Sequence, residues 1–157
     1  INLNKLNMKT TILKPILALF MLSVSLTSCD RDDDTPAPVV EPTIFEYAEG
    51  GEPSMSTVTN PFANASTQTI FGNNGTTNVV EIKLNTLVVG VYEIGSLNTF
   101  KYTRPGQTSV WTAISGRIII LEVNGNKISG TFDLTAGDSD LGINSVSGSF
   151  KRVTVNP

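Results

Sequence analysis

Strict alternation of apolar and polar residues recurs along residues 43–157 and constrains the fold more than any other feature. In NVVEIKL (78–84), Val80, Ile82 and Leu84 would face one side of a strand and the charged residues between them the other side. No stretch of useful length in this region shows the period of an amphipathic helix. The region is therefore expected to consist of β-strands.

Turn residues separate most of these alternating segments, as they do in small all-β domains. The chain has 157 residues, which favours one domain, and it is rich in Gly, Ser, Thr and Asn. About eight strands are expected, in a single antiparallel β-sandwich or barrel over residues 43–157. Residues 49–66 show no clear pattern and are expected to be a long loop or an irregular edge. The predicted strands are 43–48, 78–84, 89–94, 99–103, 109–114, 117–123, 127–134 and 145–155.

VNGNK (123–127) is the strongest hairpin signal in the chain. Asn124 and Gly125 are predicted to supply the positive-φ positions of a tight turn. The turn would join strands 117–123 and 127–134 as antiparallel neighbours.

An apolar-Ser-Gly-x-apolar pattern occurs three times, with its glycine at Gly116, Gly130 and Gly148. Glycine weakens the interior of a strand unless a bulge, a bend or a close approach requires it. We therefore expect these glycines to lie where curved strands cross closely. The alternative is that Ser and Gly are simply frequent in this chain.

The N-terminal segment has the order of a secretory signal peptide. Met8 is the expected translation start, and two lysines precede an apolar run at 16–26. This run of 11 residues is shorter than the roughly 20 residues that a permanent membrane span needs. Residues 1–28 are therefore predicted to be a signal peptide, the alternative being a buried core helix.

LTSC, formed by Leu26, Thr27, Ser28 and Cys29, resembles a bacterial lipobox. The resemblance implies that the thiol of Cys29 receives a diacylglycerol, that signal peptidase cuts before this residue, and that the new amine is acylated. Two or three acyl chains, at about 0.8 kcal/mol for each buried CH₂, make such an anchor long-lived. The alternatives are an ordinary signal peptide with an incidental Cys and a reactive thiol; a disulfide within the chain is excluded because Cys29 is the only cysteine.

An acidic and proline-rich segment follows the cysteine, and residues 29–42 are predicted to be an extended tether. Its acidic run resembles the export signal that carries lipoproteins of Bacteroidota-type bacteria to the cell surface. An Asp directly after the Cys also resembles the inner-membrane retention signal of enteric-type bacteria. We expect an outer-membrane protein that faces outward, the alternative being one that faces the periplasm. The run comprises Asp30, Asp32, Asp33 and Asp34.

Three stretches of the strand region, GVYEIGSLNTFKYT, SGRIIILEVNGNKISGTFDLTA and VSGSFKRVTV, carry a family resemblance. Their order and spacing over residues 90–155 resemble a family of small Bacteroidota-type, flavobacterial-like surface lipoproteins of unknown function. The resemblance implies an all-β fold and a lipoprotein's location, and it implies no activity.

Composition excludes several kinds of chemistry. The chain has no histidine, which removes imidazole as a general base and as a metal ligand. Its net charge of −3 argues against nucleic-acid binding. No catalytic residue is assigned and no enzyme is expected, although paired carboxylates leave a glycan hydrolase as an alternative.

The loop AGDSDLGIN (136–144) offers a weak metal motif. Asp138 and Asp140 alternate ahead of Gly142, a pattern that can wrap Ca²⁺, but a third ligand and a distal Glu are missing. We expect no cofactor, with calcium at this loop as the alternative.

Four residues are candidates for ligand binding: Tyr92, Tyr102, Arg104 and Trp111. Exposed aromatic rings stack on sugars and anchor protein interfaces, whereas buried ones only stabilise a core. Of the four, Tyr92 and Trp111 are expected to be core or half-buried residues, with ligand binding as the alternative. We expect a non-enzymatic binding or accessory module for a glycan or a surface-protein partner. The alternative is a structural envelope lipoprotein without a small ligand.

Overall fold

The structure is a computed structural model that describes residues 39–157 except 51, 53, 76 and 137–141. The predicted signal peptide, the lipidation site and the acidic run lie outside these residues. Residues 40–157 form a compact unit, and every described strand belongs to it. No described residue lies in a helix, and so none belongs to a helix capable of crossing a membrane.

The prediction of an all-β domain is confirmed. Each of the eight predicted strands is present within a few residues of its expected bounds. The three strands that the sequence did not predict are β2, β3 and β4, of which two lie inside the patternless segment 49–66. The strands are β1 (Ile44–Glu49), β2 (Ser56–Thr57), β3 (Phe62–Asn64), β4 (Thr69–Asn74), β5 (Thr77–Lys83), β6 (Gly90–Glu93), β7 (Thr99–Thr103), β8 (Val110–Thr112), β9 (Ser115–Asn124), β10 (Lys127–Thr135) and β11 (Ser145–Asn156).

The strands form one curled sheet with the shape of a half-barrel. Nine of them follow the order β6-β9-β10-β11-β3-β4-β5-β7-β8, while β1 pairs with β11 and with β2. Most neighbours are antiparallel, as expected, but β11 and β3 run parallel. This parallel pair was not predicted, because the pairing brings together segments far apart in the chain.

The branch of the sheet lies within β11, at Arg152. Residues 146–151 of β11 pair with β1, and residues 154–156 pair with β3. Arg152, between these two ranges, has a positive φ of 54°. Its backbone N–H donates to Ser129 Oγ at 3.0 Å, and its carbonyl accepts from Thr43 Oγ1 at 3.0 Å. Hydrogen bonds on both sides thus hold an unfavourable backbone conformation where β11 changes partner.

The core lies inside the curl, and alternation along the strands decides which residues enter it. Phe45 and Tyr47 of β1 are buried, as their alternation predicts. The ring of Phe100 on β7 packs against Phe132 on β10, with 5.2 Å between ring centroids. Tyr47 and Tyr102 also meet at 5.2 Å. These contacts show that β7 packs across the interior against β1 and β10.

The predicted hairpin is confirmed, but its turn lies one residue later than expected. Asn124 pairs with Lys127, so the two loop residues are Gly125 and Asn126. Gly125 has a φ of 58°, whereas Asn124 belongs to β9 and has no positive φ. A two-residue turn with Gly at its first central position needs a positive φ at that position only. Gly125 meets this need, and Asn124 is therefore free to stay in the strand as the last residue of β9.

The predicted close approach is confirmed at all three repeated glycines. At Gly116, which has a φ of 111°, a Cβ would lie 2.3 Å from the carbonyl oxygen of Asp133. Gly130 lies opposite Phe150, and Gly148 lies opposite Phe132, across the β10–β11 pair. A Cβ at either glycine would come within about 2.5 Å of that phenyl ring and of a backbone oxygen on its other neighbouring strand. Each ring therefore covers the glycine opposite. A larger residue at either glycine would require the ring or the neighbouring backbone to move.

Candidate functional site

A polar cavity of about 450 Å³ opens where β1 and β7 end. Its volume lies within the usual range of small-molecule sites. One wall comes from the end of β1 and from the segment that leads into β2, and the other comes from the end of β7. The lining residues are Tyr47, Glu49, Glu52, Ser54, Ser56, Tyr102, Arg104 and Pro105.

Strand alternation places the central residues of this cavity. Tyr47 and Glu49 are two residues apart at the end of β1, so they share one face of the strand. Tyr102 and Arg104 stand in the same relation at the end of β7. On each strand the tyrosine is buried, and the charged residue emerges just beyond it. The curl of the sheet therefore brings together two strand ends, each with a tyrosine followed two residues later by a charged residue.

Glu49 is held by donors from β7. The hydroxyl of Tyr102 donates to Glu49 Oε1 at 2.7 Å, and Arg104 Nε donates to the same oxygen at 2.9 Å. A terminal nitrogen of Arg104 donates to Glu49 Oε2. The arginine–carboxylate contact is therefore bidentate, a geometry that fixes both side chains in one orientation.

These contacts set the protonation states at the cavity. The hydrogen bond from Arg104 holds the pKa of Glu49 below its usual value, partial burial opposes this, and the Tyr102 hydroxyl lowers the pKa further. Burial, and then the bond to Glu49, raise the pKa of Tyr102. The bond to Glu49 also raises the pKa of Arg104. Near neutral pH the cavity thus presents a carboxylate, a protonated phenol and a guanidinium.

The structure brings two of the four predicted ligand-binding residues to this cavity and leaves two elsewhere. Tyr102 and Arg104 line it. Trp111 is buried, and its indole N–H donates to the carbonyl of Ile143 at 2.8 Å. Tyr92 is also buried, and its hydroxyl donates to the carbonyl of Val88 at 2.6 Å.

The sequence analysis missed the β1 side of the cavity, comprising Tyr47, Glu49, Glu52, Ser54 and Ser56. A signal for part of it was present, because Tyr-x-Glu ends β1 as Tyr-x-Arg ends β7. Opposite charges placed alike at two strand ends are candidates for an ion pair, provided that the fold brings those ends together.

The remaining predicted site residues lie outside the described residues. These are Asp138 and Asp140 of the possible calcium loop, the lipidation residue Cys29, the lipobox residues before it and the acidic run after it. Across the described part of the domain, no group of three or more Asp, Glu, His or Cys side chains is arranged to hold a metal ion.

A second cavity, of about 630 Å³, lies just beyond the C-terminal end of β5. Gln68 lines this cavity, and its carbonyl accepts a hydrogen bond from the N–H of Leu84, the first residue after β5. The lining includes Leu87, Val123 and Val155 and no charged residue. The two cavities therefore differ sharply in chemistry, and only the polar one offers charged groups to a ligand.

The fold and the polar cavity define a small all-β domain whose charged groups converge at one end of a curled sheet. A family model described as a domain of unknown function, DUF6252, matches residues 55–154, and the chain belongs to that family. The matched range contains Tyr102 and Arg104 but begins after Glu49. No curated protein and no solved structure matches the chain.

Proposed function

We propose that this protein is a lipid-anchored, non-enzymatic binding module on the outer membrane. The lipobox-like LTSC supports acylation of Cys29, and the acidic run after it supports export to the outward-facing side. Residues 29–42 are then the tether, and the curled sheet is the part that meets a ligand. The orientation that faces the periplasm remains the alternative location.

The polar cavity at the ends of β1 and β7 is the proposed ligand site. The observation that carries this assignment is the partly exposed ion pair, in which 37% of the Arg104 side chain and 19% of the Glu49 side chain remain accessible beside Ser54 and Ser56. Such a wall offers both donors and acceptors to a ligand that enters the cavity.

The charges and rings of the site indicate a neutral polar ligand. Glu49 and Glu52 outnumber Arg104, so an anionic ligand would meet net repulsion. Tyr47 and Tyr102 are buried, so neither ring offers an open face for stacking. A glycan, or a polar segment of a surface-protein partner, would therefore be held by hydrogen bonds to its edges.

The direction of the Glu49 pKa argues against this residue as the proton donor of a glycan hydrolase. A carboxylate-based glycan hydrolase needs one acid with a raised pKa, which holds the proton that it donates to the leaving group. The pKa of Glu49 is lowered instead, because Arg104 and Tyr102 stabilise its charged form.

The structural alternative also has a specific observation in its favour. Glu49, Tyr102 and Arg104 satisfy one another without any ligand, so they could serve only to fasten β1 to β7. A binding measurement separates the two functions, because a purely structural clasp needs no occupant in the cavity.

Ligand titration of Trp111 fluorescence tests the binding site. Trp111 lies opposite Tyr102 across the β7–β8 pair, so it adjoins the cavity wall. Panels of neutral oligosaccharides and polar peptides are expected to include one that changes the emission saturably. Ser56→Phe should abolish that change by filling the cavity, whereas Thr57→Phe, the next residue on β2, should preserve it. A flat response of the parent to every ligand would favour the structural alternative.

Proteolysis of intact cells tests the location. Protease should reach the parent protein, and it should reach much less of a variant in which Asp32, Asp33 and Asp34 are all changed to Ala. If protease never reaches the parent, the outward-facing orientation is wrong.

A further inference from the structure

Strand β6 ends the sheet path with one edge open. Among the described strands it pairs only with β9, and the register between the two is unbroken over all four residues. Edge strands are usually protected from unwanted pairing by Lys, Pro, a bulge or a cover. The sequence of β6, Gly-Val-Tyr-Glu, contains neither Lys nor Pro. Among the described residues this edge is thus open at Val91, whereas at Glu93 the backbone carbonyl accepts a hydrogen bond from Asn98 Nδ2 at 3.0 Å.

The hydrogen-bond pattern determines which residues of β6 point their backbone groups outward. The N–H of Ile94, just after β6, donates to the carbonyl of Gly116 at 3.0 Å. Residues alternate along an antiparallel pair, so Gly90 and Tyr92 also direct their N–H and C=O groups toward β9. Val91 and Glu93 therefore direct theirs away from β9, and of these the carbonyl of Glu93 is already bonded to Asn98.

The outer face beside this edge is apolar. Val89, Val91 and Leu121 are about 60% exposed, at 60%, 59% and 60% respectively. Ile119 is half-buried and lies directly opposite Val91 on β9. A cluster of exposed apolar side chains that reaches an unprotected edge is typical of an interaction surface. The hydroxyl of Tyr92 donates to the carbonyl of Val88, and this hydrogen bond holds the segment that leads into β6.

We infer that β6 pairs antiparallel with the β6 strand of a second copy of this chain, across a two-fold axis at Val91. The outward backbone groups of the two Val91 residues then form one reciprocal hydrogen-bonded pair, and Glu93 lies opposite Val89 of the second copy. The two Val91 side chains meet on the outer face and extend the apolar row that begins at Ile119. The edge is therefore complementary to itself, as a two-fold interface requires.

The charges near the edge are compatible with this pairing. Glu93 lies opposite Arg117 within its own chain, across the β6–β9 pair. In the proposed register it faces a valine of the second copy, so no two carboxylates lie opposite each other. An unrelated extended peptide could use the same backbone groups, but it would not by itself supply the matching apolar row.

Disulfide trapping in the full-length protein tests the pairing. Cα atoms of a hydrogen-bonded antiparallel pair lie about 5.5 Å apart, which a disulfide can span. Oxidised Val91→Cys is therefore expected to form a disulfide-linked dimer of doubled mass. Val110→Cys is the matched control, since this residue is 54% exposed on β8, the strand at the other end of the sheet path, and it should stay monomeric. Both variants are made with and without Cys29→Ala, so that the result does not depend on the lipid anchor.

A second variant tests the unmodified interface. Val91→Glu places a charge on the apolar row and is expected to abolish the dimer that amine-reactive crosslinking traps in the parent. The inference is wrong if both cysteine variants crosslink equally, if neither does, or if Val91→Cys joins a partner of another mass. It is also wrong if Val91→Glu leaves the crosslinked dimer unchanged.

Discussion

Replacing Gly130 with alanine is expected to destabilise the domain because of contacts on both sides of β10. The new Cβ would lie 2.4 Å from the carbonyl oxygen of Ile119 and 2.5 Å from Cζ of Phe150. The phenyl ring can rotate away at some cost, but the carbonyl belongs to the β9–β10 ladder and cannot move without straining it. Overpacking of this kind costs about 1–3 kcal/mol, and the backbone contact favours the upper end.

Urea and thermal denaturation followed by circular dichroism measure this cost. A loss of about 3 kcal/mol corresponds to a midpoint roughly 10 °C lower for a domain of this size. Gly95→Ala is the matched control, because Gly95 is exposed and a Cβ there would meet nothing within 4 Å. The control should be neutral or slightly stabilising, since alanine restricts the unfolded chain.

The double variant Gly130→Ala with Phe150→Ala separates the two contacts. If the ring contributes to the clash, the double variant should lose less stability than the sum of the two single variants. The reasoning is refuted if Gly130→Ala is as mild as Gly95→Ala.

Three further predictions concern other parts of the domain. Because the pKa of Glu49 is lowered on folding, its carboxylate stabilises the protein above about pH 4.5 and less as the pH falls below that value. Glu49→Gln should therefore flatten the acid side of the stability profile measured by urea denaturation, and an unchanged pH slope would contradict this. Trp111→Phe removes the hydrogen bond to Ile143, so calorimetry should show a loss of about 1–3 kcal/mol. Gly125→Ala forces a side chain to adopt a φ of 58° and should cost about 1 kcal/mol by the same measurement, whereas no loss would mean that this turn is not strained.

The strands that the sequence predicted are those whose signal is local. In β5, Val80 and Ile82 alternate with charged residues, and the structure buries the two apolar residues. The missed strands depend on distant partners. Strand β3 has three residues and pairs in parallel with the end of β11, which no local pattern can reveal. Strand β4 contains Gly72, Asn73 and Asn74, which are depleted in strands, but its pairing with β5 overrides that preference.

The sequence predicted the β7 side of the candidate site and missed the β1 side, because only the β7 side has a local signal. Tyr102 and Arg104 were selected because they lie close together in the sequence near other aromatic residues. Glu49 lies more than fifty positions earlier, on a strand that is not a sheet neighbour of β7. The two strand ends meet only because the sheet curls, and curvature is a tertiary property that alternation does not encode. The buried positions of Tyr92 and Trp111, by contrast, agree with the expectation from the sequence.

The lipid anchor is the central claim of the proposed function, and fatty-acid labelling of growing cells tests it most directly. The account predicts that the parent protein incorporates labelled fatty acid, that Cys29→Ala does not, and that mass spectrometry finds an acylated mature chain beginning at Cys29. A parent without label, or a Cys29→Ala variant that retains it, would contradict the claim.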